Sequence, residues 1–199
     1  MQNKKYRIDY TQKIEEFGRI LYRIVALADF GIVTTGDQGG YIESEKNLSQ
    51  SGNAWVFDNA RVSGNARVCG NAWVYGNAEV YGNAWVCGNA RVCDNARVCG
   101  NAWAYGNARV YDNAWVCGNA EVYGNAEVAK FCITVRTSKY YCTISDKHMA
   151  IGCKNYTFSE WENFTEEEIR KMDTNAWEWW TQWKPILFEI LKVENKVKT

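Results

Sequence analysis

From Ser51 to Val128 the chain repeats one hexad thirteen times without interruption. The unit is x-Gly-Asn-Ala-x-Val, opening as Ser51-Gly52-Asn53-Ala54-Trp55-Val56 and closing as Tyr123-Gly124-Asn125-Ala126-Glu127-Val128. Ala and Val stand two positions apart, so in an extended backbone they point to the same side and the residue between them points away. Gly (or Asp) followed by Asn is turn chemistry, because Gly carries no Cβ and Asn tolerates the left-handed region. Each hexad therefore reads as a very short strand plus a corner, with Ala and Val facing inward. A hairpin array would need longer strands, whereas a turn in every hexad closes into a triangular coil with three hexads per circuit.

The substitutions within the repeat agree with that three-hexad coil. Asp replaces Gly at Asp58, Asp94 and Asp112, separated by six and then three hexads, which places all three on one edge. The outward residues then form three walls. Trp55, Trp73, Arg91, Arg109 and Glu127 stand on the first, Arg61, Glu79, Arg97 and Trp115 on the second, and Arg67, Trp85, Trp103 and Glu121 on the third. Trp over Trp and Arg beside Trp are favourable at a rung spacing of about 4.8 Å. The same periodicity sets Cys69 over Cys87 and Cys99 over Cys117, read as packed free thiols that could bridge under oxidation.

Val74-Tyr75-Gly76-Asn77-Ala78 resembles the hexapeptide repeat of left-handed parallel β-helices, the fold of hexapeptide acyltransferases. The resemblance covers the whole repeat block, 51–128, and implies that fold. The Gly-Asn-Ala arrays, with the preceding segments 23–30 and 36–49, also look like uncharacterised proteins of bacteriophages and of prophage-bearing gut bacteria. That likeness implies a phage-linked origin and assigns no activity.

The expected fold is mainly β, with three segments. Residues 1–50 form an N-terminal strand cap and the first irregular coils, 51–128 the left-handed parallel β-helix, and 129–199 a small C-terminal α+β domain with a Trp-rich helix. Caps are required because the open ends of a β-helix would recruit other chains. Tyr6 to Phe30 is strand-rich, Glu43, Glu45 and Lys46 fall on an outward loop, and the coil register returns near Leu48. After Val128, three short strands are expected around Phe131–Arg136, Tyr140–Ile144 and Met149–Cys153. Helix starts are expected at Ser159 and, with capping-box spacing, at Thr165. A last helix begins after Thr174, with Pro185 kinking or dividing it.

Composition narrows the function. Lys+Arg and Asp+Glu each number 23, so no basic excess supports a nucleic-acid or anionic-membrane surface. The repeat block, with five Arg against six acidic residues, disfavours direct nucleic-acid binding. Met1 to Tyr10 carries no apolar signal stretch and no run is long enough to span a membrane, so a cytoplasmic location in a bacterial host is expected. Neither a metal nor another cofactor is expected: no Cys pair has Cys-x-x-Cys spacing, and His148 is the single His. Hexapeptide acyltransferases generally place a His base in or beside the coil, and none lies between Ser51 and Val128. His148 reads as an exposed turn residue and Cys153 as a small buried hydrophobe, so no catalytic residue is assigned.

Thirteen outward positions hold five Trp, five Arg and three Glu, the side chains of an interface more than of a merely solvated surface. The candidate partner-binding residues are Trp55, Trp73, Arg91 and Arg109 on the first wall, Trp85 and Trp103 on the third, and Trp179 and Trp183 in the C-terminal helix. The competing role for the same rings is packing, through stacked ladders on the prism and core burial in the helix. The resulting expectation is a non-enzymatic, phage-type scaffold that binds a bacterial host protein or complex and can assemble as a homo-oligomer, such as an inhibitor of a defence system of the anti-CRISPR kind. The alternative is a hexapeptide acyltransferase-like enzyme, or an oligomer that sequesters a small molecule or nucleotide.

Overall fold

The computed structural model describes residues 4–196, so the outermost residues of the 1–50 and 129–199 segments lie outside the described residues. Two long strands, β1 (Tyr6–Glu16) and β2 (Arg19–Ala26), form an antiparallel hairpin, and β3 (Gln38–Ile42) pairs antiparallel with β2. Thirteen two-residue strands follow, from β4 (Trp55–Val56) to β16 (Glu127–Val128), one per hexad. Each pairs in parallel and in register with the strand three hexads away, which makes a three-walled parallel β-solenoid. The pairs Trp55↔Trp73, Arg61↔Glu79 and Arg67↔Trp85 start the three walls on the columns expected from the periodicity. The second wall is continuous with the N-terminal cap, since β3 pairs in parallel with Arg61–Val62 and so carries the hairpin as its end strands.

Every repeat Ala from Ala54 to Ala126 and every inward residue from Val56 to Val128 is buried, so the core is a column of small side chains enclosed by backbone. The walls hold through main-chain bonds between turns, such as Trp55 N–H to the Ala72 carbonyl at 3.0 Å and Phe57 N–H to the Val74 carbonyl at 2.8 Å. At the corners the repeat Gly has positive φ, and Asp58, Asp94 and Asp112 adopt the same region at 52°, 60° and 55°. Two of these aspartates offset that conformation through their carboxylates: Asp58 accepts from Gly76 N–H at 3.0 Å and Asp94 from Asp112 N–H at 3.2 Å.

The Asn that follows plays another part than the expected one. Among the described residues no repeat Asn has positive φ. Instead the side-chain amides donate to the Asn one turn on, as in Asn65 to Asn83 at 3.1 Å, Asn83 to Asn101 at 3.0 Å and Asn89 to Asn107 at 3.1 Å. The corners therefore carry ladders of amides.

Beyond Val128 the chain forms a four-stranded antiparallel meander, β17 (Ile133–Arg136), β18 (Tyr141–Ile144), β19 (His148–Ile151) and β20 (Lys154–Thr157). The fourth strand is not among the three expected, because Lys-Asn-Tyr-Thr has no apolar alternation and is half-buried throughout. This sheet closes the solenoid end. Thr143 Oγ1 accepts from Glu121 N–H at 3.1 Å, Asn155 donates to the Tyr123 carbonyl at 2.6 Å, and the Asp146 carboxylate accepts from Lys130 and Phe131 N–H at 2.9 and 3.2 Å. Cys132, one full turn after Ala114, packs against the end of the solenoid core.

Helix α1 (Phe158–Asn163) is capped by Thr157, two positions before the expected Ser159, because Glu160 completes the capping box with Thr157. Helix α2 (Glu166–Met172) is capped by Thr165 as its spacing predicts. Helix α3 (Ala176–Lys196) runs through Pro185 as one helix. Trp180, Leu187 and Leu191, on both sides of the proline, are buried in the same cluster, and that packing outweighs one lost backbone bond.

Candidate binding surface

The outward residues of the solenoid mostly satisfy one another. On the third wall Trp85 and Trp103 stack with centroids 5.4 Å apart and planes 10° from parallel, and Arg67 lies 5.5 Å over Trp85. Two rings on successive rungs that stack in this way turn their faces along the solenoid axis and their edges outward. The faces that these two rings turn toward one another, and the face of Trp85 under Arg67, are thus closed to a base or sugar. On the first wall Arg91 covers Trp73 at 4.9 Å, Phe57 meets its edge at 5.6 Å, and Arg109 pairs with Glu127 at 3.3 Å.

Two of the expected surface residues are interior. Trp55 is 1% exposed, although it shares its wall with Trp73. The N-terminal cap folds over it: Tyr6 and Phe30 meet its ring at 6.0 and 5.3 Å, both edge-on. Gly39 makes the room, since a Cβ there would stand 2.7 Å from Trp55 Cζ2. Trp179 is 8% exposed, with its indole N–H donating to Thr137 Oγ1 at 3.2 Å and Tyr140 against its ring at 4.8 Å. Trp183 is half-buried and stacks on Trp179 at 6.0 Å. The candidate residues consequently fall on two walls and one helix, and do not converge. Trp103 at 44% and Trp115 at 55% are the open rings of the repeat, and Trp115 is absent from the expected set.

One concave feature of the solenoid lies on the second wall, where the tip of the β1–β2 hairpin overhangs it. This cleft of about 390 Å³ is lined by Glu16, Phe17, Arg19, Arg61, Glu79 and Arg97, among others. Its floor is an ion ladder. Arg61 pairs with Glu16 at 2.6 Å and Glu79 at 3.6 Å, and Glu79 reaches Arg97 Nε at 3.4 Å. Arg19 is held by Glu43 at 2.8 Å, and Glu43 also accepts from Gly64 N–H at 2.6 Å. Burial opposes ionisation of Glu43, yet the Gly64 N–H and the Arg19 guanidinium prevail and hold its carboxyl below the ordinary range. Arg19 and Arg97 stay half exposed, so their free edges face solvent in the cleft.

Phe17 forms the rim. It is 89% exposed and sits at φ 48°, followed by Gly18 at φ 72°, the two positive angles of a tight two-residue hairpin loop. Such loops normally take Asn or Asp before Gly, so Phe bears both a conformational and a solvation cost there. The sequence signal exists in Phe17-Gly18 between two strand-like runs, but Phe is not a turn residue and hides it.

His148 opens β19, half-buried rather than in an exposed turn, and its Nδ1 is buried without a hydrogen-bond partner. Strand pairing of His148 with Thr157 draws it in. Cys153 is exposed rather than buried, since it sits in the turn between β19 and β20. Among the described residues no group of three or more His, Cys, Asp or Glu could hold a metal ion, and no helix is long and apolar enough to cross a membrane.

A family described as the YdcK β-solenoid repeat matches this chain at residues 54–70, 60–76, 72–88, 90–106 and 104–118. A protein of Escherichia coli (strain K12) described as an uncharacterized acetyltransferase, YdcK, is 37% identical over 62 residues, covering 28% of this chain and 19% of that protein. The similarity thus spans less than a fifth of that relative's length and concerns a β-solenoid repeat protein.

Proposed function

We propose that this protein is a non-enzymatic binding scaffold, with the β-solenoid as a stiff platform and the second-wall cleft as its recognition surface. The observation that carries this reading is Phe17, an almost fully exposed aromatic residue held at positive φ on the lip of an arginine-lined cleft. A residue with two local costs and no compensating burial in the monomer fits a side chain that is buried by a partner. A rigid wall also presents Arg19, Arg97 and Trp115 with little ordering cost on binding. The partner is a bacterial host protein or complex in the host cytosol. Inhibition of a defence system, of the anti-CRISPR kind, is the narrower form of this reading; it rests on the resemblance of the Gly-Asn-Ala arrays to proteins of bacteriophages and prophages, read from the sequence alone.

The test is site-specific capture. A photo-crosslinking residue at position 17 in the full-length chain should trap one host protein, and Arg97→Glu in the same background should reduce that adduct at least tenfold. Circular dichroism should be unchanged in both. An adduct pattern indifferent to Arg97→Glu would reject the cleft as the recognition surface.

A second reading, an acyltransferase-like enzyme or a ligand-sequestering oligomer, is favoured by the 62-residue likeness to a protein named as an acetyltransferase. A ligand bound only by the folded state raises its apparent stability by about 2.7 kcal/mol at a hundred times its dissociation constant. A saturable rise in unfolding temperature with acetyl-CoA would therefore replace the scaffold reading with this one.

A further inference from the structure

Five of the eight cysteines lie at the repeat position that precedes Gly or Asp, and four of them are stacked in pairs. Cys69 and Cys87 occupy one corner on successive turns, held in register by Cys69 N–H to the Val86 carbonyl at 3.0 Å. Cys99 and Cys117 do the same on another corner, with Cys99 N–H to the Val116 carbonyl at 2.9 Å. The two thiols of each pair are close enough to influence one another electrostatically. Neighbouring rungs stand about 4.8 Å apart, inside the roughly 4.4–6.8 Å between Cα atoms that a disulfide spans. One member of the second pair is exposed, Cys117, while Cys99 is buried and accepts the Trp115 indole N–H at 3.1 Å. Both members of the first pair are partly exposed.

We propose that Cys69–Cys87 and Cys99–Cys117 are two dithiol oxidation sites, at which a peroxide-class oxidant inserts disulfide straps across adjacent rungs of the solenoid. In the second pair the exposed Cys117 thiolate attacks a peroxide oxygen. The O–O bond breaks, Cys117 becomes a sulfenic acid, and the departing hydroxide takes a proton to leave as water. Cys99 sulfur then attacks the sulfenic sulfur and loses its proton. The S–O bond breaks and a second water leaves. The two sulfurs together surrender two electrons, the peroxide accepts them, and the product is one disulfide and two waters.

The fold supplies its own controls. Cys93 stands between Tyr75 and Tyr111 in its column and has no thiol one turn away, and Cys142 is buried in the C-terminal sheet. Serine already fills the equivalent corner position at Ser51 and Ser63, so Cys→Ser is compatible with the turn.

The experiment uses the reduced full-length protein, hydrogen peroxide at low molar excess, and peptide mapping without reductant. Linked peptides joining Cys69 to Cys87 and Cys99 to Cys117 are expected, with Cys93 and Cys142 recovered as free thiols and the bridges reversed by dithiothreitol. Cys117→Ser should delete one bridge and keep the other, and Cys69→Ser should do the converse. The proposal is overturned if the four cysteines are recovered as free thiols or sulfinic acids in a natively folded sample, or if bridges form only through the exposed Cys153.

Discussion

At Ala104 the repeat departs from its own rule, and the departure can be tested by restoring it. Ala104 occupies the inward position that valine holds one turn to either side, at Val86 and Val122, and it is fully buried. The column therefore lacks two methyl groups at a height where the neighbouring rungs accommodate them. Ala104→Val should recover about 0.8 kcal/mol per carbon buried, about 1.6 kcal/mol in all. For a chain of this length that corresponds to a rise in unfolding temperature of roughly 3–6 °C. The reverse change one rung away, Val86→Ala, loses the same transfer energy and leaves a void beside the existing one, so a cost of about 2–3 kcal/mol is expected. Urea unfolding followed by far-ultraviolet circular dichroism measures both. An Ala104→Val midpoint equal to or below that of the wild type would refute the reasoning, because it would mean that the walls have closed around Ala104 and the added methyls overpack the core.

Two further outcomes follow from the corners and the cap. Gly82 has φ 74°, and a Cβ on it would meet Gly100 N at 3.0 Å, so Gly82→Ala should cost about 1–2 kcal/mol by the same unfolding assay. Lys5 is buried, with Nζ donating to the Ala54 carbonyl at 2.8 Å, and burial lowers its pKa from 10.5 to about 8. The folded chain then releases this proton before the unfolded chain does, so between about pH 8 and 10.5 the unfolded state binds more protons and stability rises with pH. Lys5→Met should remove that rise; a wild-type curve parallel to that of Lys5→Met across this window would contradict it.

The walls of the solenoid are legible because the same short rule acts at every rung. Ala and Val two apart define the inside, and a three-hexad spacing assigns Trp73, Arg97 or Trp103 to its wall without any long-range knowledge. The exceptions arise where distant chain meets the repeat. Trp55 carries the same hexad signature as Trp73, and nothing local tells that Tyr6 and Phe30 will cover one and leave the other. The asparagine ladders are hidden for a related reason: Asn reads as a turn former in isolation, while its amide finds a partner only once turns are stacked. In the C-terminal segment, Lys154–Thr157 becomes a strand because β19 offers it an edge, and its own pattern is mute. The cleft combines both problems, since Phe17 belongs to the cap and Arg97 lies far downstream, in the eighth hexad of the repeat. Trp179 and Trp183 are ambiguous by sequence, as a helix rich in indole can face a core or a partner with the same spacing.

The in-register stacking of near-identical turns makes this molecule a graduated rod. Loss or gain of three hexads would move the hairpin and the C-terminal sheet about 4.8 Å closer or farther apart while preserving the direction each one faces. Loss of a single hexad would instead swing one end a third of a revolution around the other. Reach and orientation therefore change in discrete steps with the number of hexads, with the end pieces left untouched.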